Sequence, residues 1–199
     1  MNILIAGATG KTGSRLAREL QTAGHQVIAM HRESSDTSVL PSDARLRQAD
    51  LADLDGDVCD GADVVVFAAG SGGDTDESMT DKIDRDGAKN LIDIAAAADT
   101  QHFVMLSSVG AGDPDPESDL SHYLYAKHDA DEHLINSGLS YTIVRPVALT
   151  DEDGDRNVRL GDEVDPHGEA ARGDVAAILA RATNDDALKN KVFLMESLA

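Results

Sequence analysis

The chain has no tryptophan, and aromatic residues make up only 3% of its 199 positions. Stacking platforms for single-stranded nucleic acid need such rings, so that class of function is disfavoured. A single cysteine, Cys59, excludes an intrachain disulfide framework. Its acidic neighbours Asp57 and Asp60 are expected to raise the thiol pKa and leave a poor nucleophile. No apolar run approaches the ~18 residues of a membrane span. No basic region precedes Ile3-Leu4-Ile5, so no signal peptide is expected. Cations are scarce as well: 17 Lys and Arg face 37 Asp and Glu, a formal net charge of −20. A surface this acidic repels phosphate backbones and anionic lipid heads. The composition therefore predicts a cytoplasmic protein that binds neither nucleic acid nor membrane; a small-molecule substrate and a monomer or small homo-oligomer are the further expectations. Asp supplies 28 of the acids, and these are spread along the chain rather than gathered in a tail. Halophilic proteins carry high net charge in this way, and a halophilic source is the expectation.

What is present is a regular alternation. Ile3–Ala6, Val27–Met30, Ala44–Gln48, Val64–Ala69, Phe103–Leu106, Tyr141–Val144 and Val192–Met195 read as strands. Val64–Ala69 shows no polar alternation, which implies burial on both faces, as in a parallel sheet. Helical spacing marks Thr12–Ala23, Ile83–Ala98, Leu120–Ser137 and Val175–Ala182, the last with Asp174 as its expected N-cap. Gly70–Thr80 is a Gly/Asp-rich loop, and Gly154–Gly168 is polar and poorly patterned. Strand and helix alternating in this manner predict an α/β protein with a Rossmann-like, doubly wound, mainly parallel sheet in three layers. The whole chain, 1–199, reads as one domain with a small substrate-side region near 147–169. Ligands in such sheets bind beyond the carboxyl ends of the strands.

The first such end carries Gly7-Ala8-Thr9-Gly10-Lys11-Thr12-Gly13 between a strand and a helix. Gly7 permits a tight turn, Gly10 lets backbone approach a pyrophosphate, and Gly13 allows close helix packing, with the helix N-terminus offering N–H groups to phosphate. Gly10-Lys11-Thr12 imitates a triphosphatase loop, but that motif needs a glycine where Ile5 stands. The second strand ends Met30-His31-Arg32-Glu33. Arg32 suits a 2′-phosphate, and Lys11 would add a second cation, so the expected cofactor is NADP, with NAD possible because of Glu33.

Six segments in order resemble an atypical short-chain dehydrogenase/reductase of the small epimerase/dehydratase-like, NmrA-like or flavin-reductase-like kind. They are Ile5–Gly13, Val66–Gly72, Asp86–Ile92, Phe103–Ser108, Tyr123–Lys127 and Tyr141–Pro146. The resemblance implies Asp50 and Leu51 at the adenine, Ala68, Ala69 and Gly70 along the ribose and diphosphate, and Ser107 or Ser108 near the nicotinamide. It also implies Tyr123 and Lys127 as the Tyr-x-x-x-Lys pair, with Lys127 reaching the cofactor ribose, and Pro146 beside the nicotinamide ring.

The pair has a physical rationale of its own. Residues four apart share a helix face, and an adjacent ammonium favours phenolate, so Tyr123 can pass a proton while a cofactor moves hydride. A serine hydroxyl would orient the substrate carbonyl. Two departures matter. The position of the family's catalytic Asn, six before Asn90, holds Asp84, and the resemblance leaves only Val147–Glu169 as the region that would cap a substrate, short for a bulky one. The expected function is an NADP-dependent oxidoreductase of a small carbonyl, quinone or flavin-like acceptor. The alternatives are a non-catalytic NAD(P)-binding sensor and a small-substrate epimerase or dehydratase. No metal site is expected: Asp151–Asp155 lacks the calcium-loop spacing, and His122, His128 and His133 do not share an i,i+4 face.

Overall fold

The computed structural model describes residues 1–72 and 76–198. Gly73, Asp74 and Thr75 of the Gly70–Thr80 loop lie outside the described residues. In chain order the elements begin β1 (Asn2–Ala6), α1 (Lys11–Thr22), β2 (Gln26–His31), β3 (Arg45–Gln48) and β4 (Val64–Phe67). There follow α2 (Glu77–Thr80), a π-helical segment (Asp81–Gly87), α3 (Ala88–Ala97), β5 (His102–Leu106), α4 (Ser121–Asn136) and β6 (Tyr141–Pro146). The chain then forms β7 (Ala148–Thr150), β8 (Val158–Leu160), β9 (Glu169–Ala171), α5 (Arg172–Ala182) and β10 (Lys191–Ser197).

The main sheet runs β3-β2-β1-β4-β5-β6-β10-β8, parallel throughout except for β8, which pairs antiparallel with β10. Strand order reverses between β1 and β4, so the loops after these two strands diverge and leave a crevice. β7 and β9 pair separately.

Alternation along the strands builds one core on each face. Ile3, Ile5, Val64 and Val66 pack with Leu16 and Leu20 of α1 and Val175 and Leu179 of α5. Leu4, Val65, Phe67 and Phe103 pack with Leu91, Ile92 and Leu134 on the other face. This is the three-layer arrangement, and it explains why Val64–Phe67 has no polar position: both its faces are covered.

Three local expectations change. Asp174 is not an N-cap: α5 starts at Arg172, capped by Ala171, and Asp174 lies in the first turn. There it is fully buried, accepting from Arg156 N at 2.8 Å and Ser197 Oγ at 2.7 Å. The poorly patterned Gly154–Gly168 stretch contains β8, whose three residues are all half-buried and so carry no clear alternation. The helix expected from Ile83 starts earlier, at Glu77, where the Asp76 side chain accepts from Met79 N at 3.0 Å, and it passes through the π segment. Among the described residues no helix is long and apolar enough to cross a membrane.

Candidate functional site

Gly7 takes φ +83°, and a Cβ there would stand 2.6 Å from Ala69 Cα. The turn after β1 is thereby pressed against the loop after β4. A Cβ on Gly13 would lie 2.9 Å from Gly7 C and closer still to Gly7 O, so α1 is seated directly on that turn. The N-cap of α1 is Gly10, with no side-chain cap and no acidic residue in the first turn. Its first N–H groups thus take no side-chain acceptor from the helix's own cap or first turn, an arrangement that suits an anion.

Two cavities meet at this point. One, of about 200 Å³, lies toward β2 and β3 and is lined by Gly7, Thr9, Arg32, Asp50 and Leu51, among others. The other, of about 570 Å³, lies toward β5 and α4 and is lined by Lys11, Thr12, Ser107, Tyr123 and Lys127, among others. Gly10, Ala68, Ala69, Gly70 and Ser71 line both. Gly13, Ser108 and Pro146 line neither. Gly13 serves the packing of α1 on the turn. Pro146 is buried, its carbonyl accepting from Val109 N at 2.9 Å. Ser108 is half-buried, its carbonyl accepting from Ala111 N at 3.2 Å.

The two expected cations part company. Arg32 lines the smaller cavity and has no carboxylate partner among the described residues. Lys11 lines the larger one, its Nζ 2.5 Å from Asp151 Oδ2. Arg172 Nε holds the other Asp151 oxygen at 2.8 Å, and Arg15 Nε holds Asp153 at 2.8 Å. The Asp151–Asp155 run, which reads as a solvated loop, is thus tied down over the start of α1. Hydrogen bonds from Lys11 and Arg172 keep the Asp151 carboxyl below its ordinary range, and one from Arg15 does the same for Asp153.

Tyr123 and Lys127 do share the cleft face of α4. Lys127 is only 1% exposed. Its Nζ donates to Leu106 O at 2.8 Å, lies 3.9 Å from Asp84 Oδ1, and stands 5.3 Å from the centre of the Phe67 ring. Asp84 comes from the π segment and is fully buried, with Oδ2 accepting from Ser71 N at 2.9 Å. Widened turns of this kind often mark functional positions. Here one puts a carboxylate between the loop after β4 and the lysine.

Several residues escaped the sequence reading. Asp131, one turn beyond Lys127 on α4, is fully buried. It accepts from Ser107 Oγ at 2.7 Å and from Arg145 Nε at 2.9 Å, both on Oδ2. Burial pushes its carboxyl above the ordinary range, against the opposing pull of Arg145, the Ser107 hydrogen bond and Lys127. The i,i+4 step from Lys127 was the available signal. Leu120 and Leu149, 61% and 37% exposed, form an apolar part of the larger cavity's lining, and Arg172 lines it too.

The helix-borne histidines go to separate partners: His122 to Asp81 at 2.9 Å, His128 to Ala111 O at 2.8 Å and His133 to Asp93 at 2.7 Å. Among the described residues no group of metal-ligating side chains occurs. The Cys59 thiol is indeed pushed up, to about 12, but chiefly by burial; Asp60 adds to it and Arg47 opposes it.

Comparison with known proteins places this architecture. The NAD(P)H-binding family matches residues 7–186. The uncharacterized sugar epimerase YhfK of Bacillus subtilis is 34% identical over 201 residues, covering 97% of this chain and 92% of its own. The pea chloroplast protein TIC 62 is 32% identical over 170 residues, covering 72% of this chain but only 32% of its own length. A solved Bacillus halodurans structure, named for the NAD-dependent epimerase/dehydratase class, superposes with a TM-score of 0.93 at 34% identity, covering 100% of this chain and 94% of its own. The oxidoreductase ylbE of Lactococcus lactis gives a TM-score of 0.87 at 28% identity, covering 100% and 91%. With the glycine turn, the sheet order and these relatives in agreement, the chain belongs to the NAD(P)H-binding family, within the atypical short-chain dehydrogenases/reductases.

Proposed function

We propose that the protein is an NADP-dependent oxidoreductase acting on a small carbonyl, quinone or flavin-like acceptor in the cytoplasm. The observation that carries the reading is the joining of two cavities at the uncapped start of α1, with Arg32 in one and Tyr123 and Lys127 in the other. The lining residues fit a dinucleotide: a glycine cradle that a Cβ would fill, helix N–H groups with no side-chain cap, and a guanidinium without a carboxylate partner among the described residues. Asp50 and Leu51 would hold the adenine, and Arg32 the 2′-phosphate. Gly10 and Ala68–Gly70 would track the diphosphate and ribose. Bound there, the nicotinamide supplies hydride.

The chain's own part is binding and proton delivery. Tyr123, facing the cleft, gives its hydroxyl proton to the substrate oxygen as that oxygen gains charge. Lys127, held by Leu106 O and next to Asp84, supplies a fixed positive charge behind it. Leu120 and Leu149 offer apolar surface to a ring or chain. A cleft of about 570 Å³ that must also take the nicotinamide half of a cofactor suits a small substrate better than a sugar nucleotide. That weighs against reading the epimerase name of YhfK onto this chain.

The test is NADPH oxidation against a panel of aldehydes, ketones, quinones and flavins in high salt. The expected result is turnover with at least one class. Tyr123→Phe should abolish carbonyl reduction and spare direct flavin reduction. Cofactor binding with no turnover on any acceptor would favour the sensor reading instead.

A further inference from the structure

Ser107 lines the larger cavity and is 4% exposed. Its hydroxyl proton is committed: Oγ donates to Asp131 Oδ2 at 2.7 Å. The same oxygen accepts from Arg145 Nε at 2.9 Å. An oxygen that receives two hydrogen bonds is the carboxylate's acceptor edge whether or not a proton resides on Asp131, because that proton would sit on Oδ1. Oδ1 is buried and has no hydrogen-bond partner among the described residues. The serine hydroxyl carries one hydrogen and two lone pairs, so toward the cleft it has only lone pairs to offer.

We propose that Asp131 is a positioning residue that fixes Ser107 as a hydrogen-bond acceptor, so that the cleft selects a substrate carrying an N–H or O–H donor beside its reducible centre. This rests on the oxidoreductase reading and refines it. A serine that orients a carbonyl must donate, and Ser107 cannot do so while Asp131 holds its proton. A bare ketone or quinone would therefore meet one donor, Tyr123, and set its second oxygen lone pair against those of Ser107. A ring imide or a hydroxy-substituted carbonyl would meet complementary partners at both points. The geometry of α4 supports the assignment. Tyr123, Lys127 and Asp131 follow one another at four-residue steps on one face, running from the cleft into the buried pair with Arg145.

The probes are riboflavin and N3-methylriboflavin, which differ in one N–H. Binding to the NADP-loaded protein is read by the change in flavin fluorescence on titration. The wild type should prefer riboflavin by about tenfold, the value of one buried hydrogen bond. Ser107→Ala should bring the two affinities within twofold of each other, and Ser107→Thr should restore the gap. Asp131→Asn, whose amide oxygen can take both donors, should keep the preference. Asp131→Leu, which frees the Ser107 proton, should lose it. Equal affinities in the wild type, a preference that survives Ser107→Ala, or no binding of either flavin would overturn the proposal. Turnover is measured separately, so a wild type that discriminates but never oxidises NADPH would sink the oxidoreductase reading and leave the role of Ser107 standing.

Discussion

Replacing Gly13 by alanine tests whether the turn after β1 is as tightly built as the structure shows. In an open helix position the exchange would stabilise the protein by about 1 kcal/mol, since alanine is the better helix former and restricts the unfolded chain. Here the new Cβ would overlap Gly7 O, and it would lie 2.9 Å from Gly7 C and 3.0 Å from Ala8 Cα. All three neighbours are backbone. Gly7 has nowhere to retreat, because a side-chain carbon at its own position would already be 2.6 Å from Ala69 Cα. The helix must move off the loop, at a cost of about 1–3 kcal/mol for an overpacked contact, which outweighs the propensity gain. For a chain of this size the net loss, up to about 2 kcal/mol, lowers Tm by up to roughly 8 °C. On the proposed binding mode cofactor affinity should fall with it, since the shifted helix carries the N–H groups that would face the phosphates. Gly10→Ala is the control. Its Cβ would meet only Gly7 O, at 3.2 Å, so stability should change by less than about 1 kcal/mol. Cofactor affinity should still drop, because Gly10 lines both cavities. Thermal and urea unfolding, with NADPH titration of each variant, read the two effects apart. A Gly13→Ala protein as stable as the wild type, with unchanged affinity, would refute the packing argument.

Further expectations concern pH and salt. Burial holds the His102 imidazole at about 4 rather than 6.5, with Ser140 and Thr142 hydroxyls on its two nitrogens. The unfolded chain therefore takes up the proton first, so stability is fully present above pH 6.5 and is lost as pH falls from there toward 4. The ceiling on this loss is about 3 kcal/mol. Urea unfolding across that window should show the slope in the wild type and a flatter profile in His102→Gln. With a formal charge of −20, raising KCl from low to molar levels should increase Tm and tighten NADPH binding by screening self-repulsion. A steady fall in Tm with KCl would end the halophilic reading.

The parts legible in the sequence were those fixed by local pattern. Val64–Ala69 reads as a doubly covered strand, of which Val64–Phe67 forms one, and Gly7, Gly10 and Gly13 announce a turn whose crowding the backbone confirms. Contacts between distant side chains were not legible. Asp151 sits 140 residues from Lys11, and nothing in the acidic run Asp151–Asp155 distinguishes a loop tied to α1 from a solvated one. Arg145 read as the neighbour of a cofactor-facing proline. In the structure its guanidinium turns inward to Asp131, while Pro146 reaches neither cavity. Asp84 read as a missing Asn, and only the π segment shows that the carboxylate is buried beside Lys127. The choice between Ser107 and Ser108 depends on how each residue is placed as the chain leaves β5, and of the two Ser107 is the one that lines the cleft.

The central claim is that a phosphorylated dinucleotide lies across both cavities with its adenine end at Arg32. The most direct measurement is the affinity of wild type and Arg32→Gln for NADPH and for NADH, taken by calorimetry at fixed high salt. The account predicts that the wild type prefers NADPH and that Arg32→Gln weakens NADPH by roughly 10- to 100-fold, as expected for a charge-assisted pair, while NADH changes by less than about threefold. Equal losses for the two cofactors, or a wild type that prefers NADH, would contradict it.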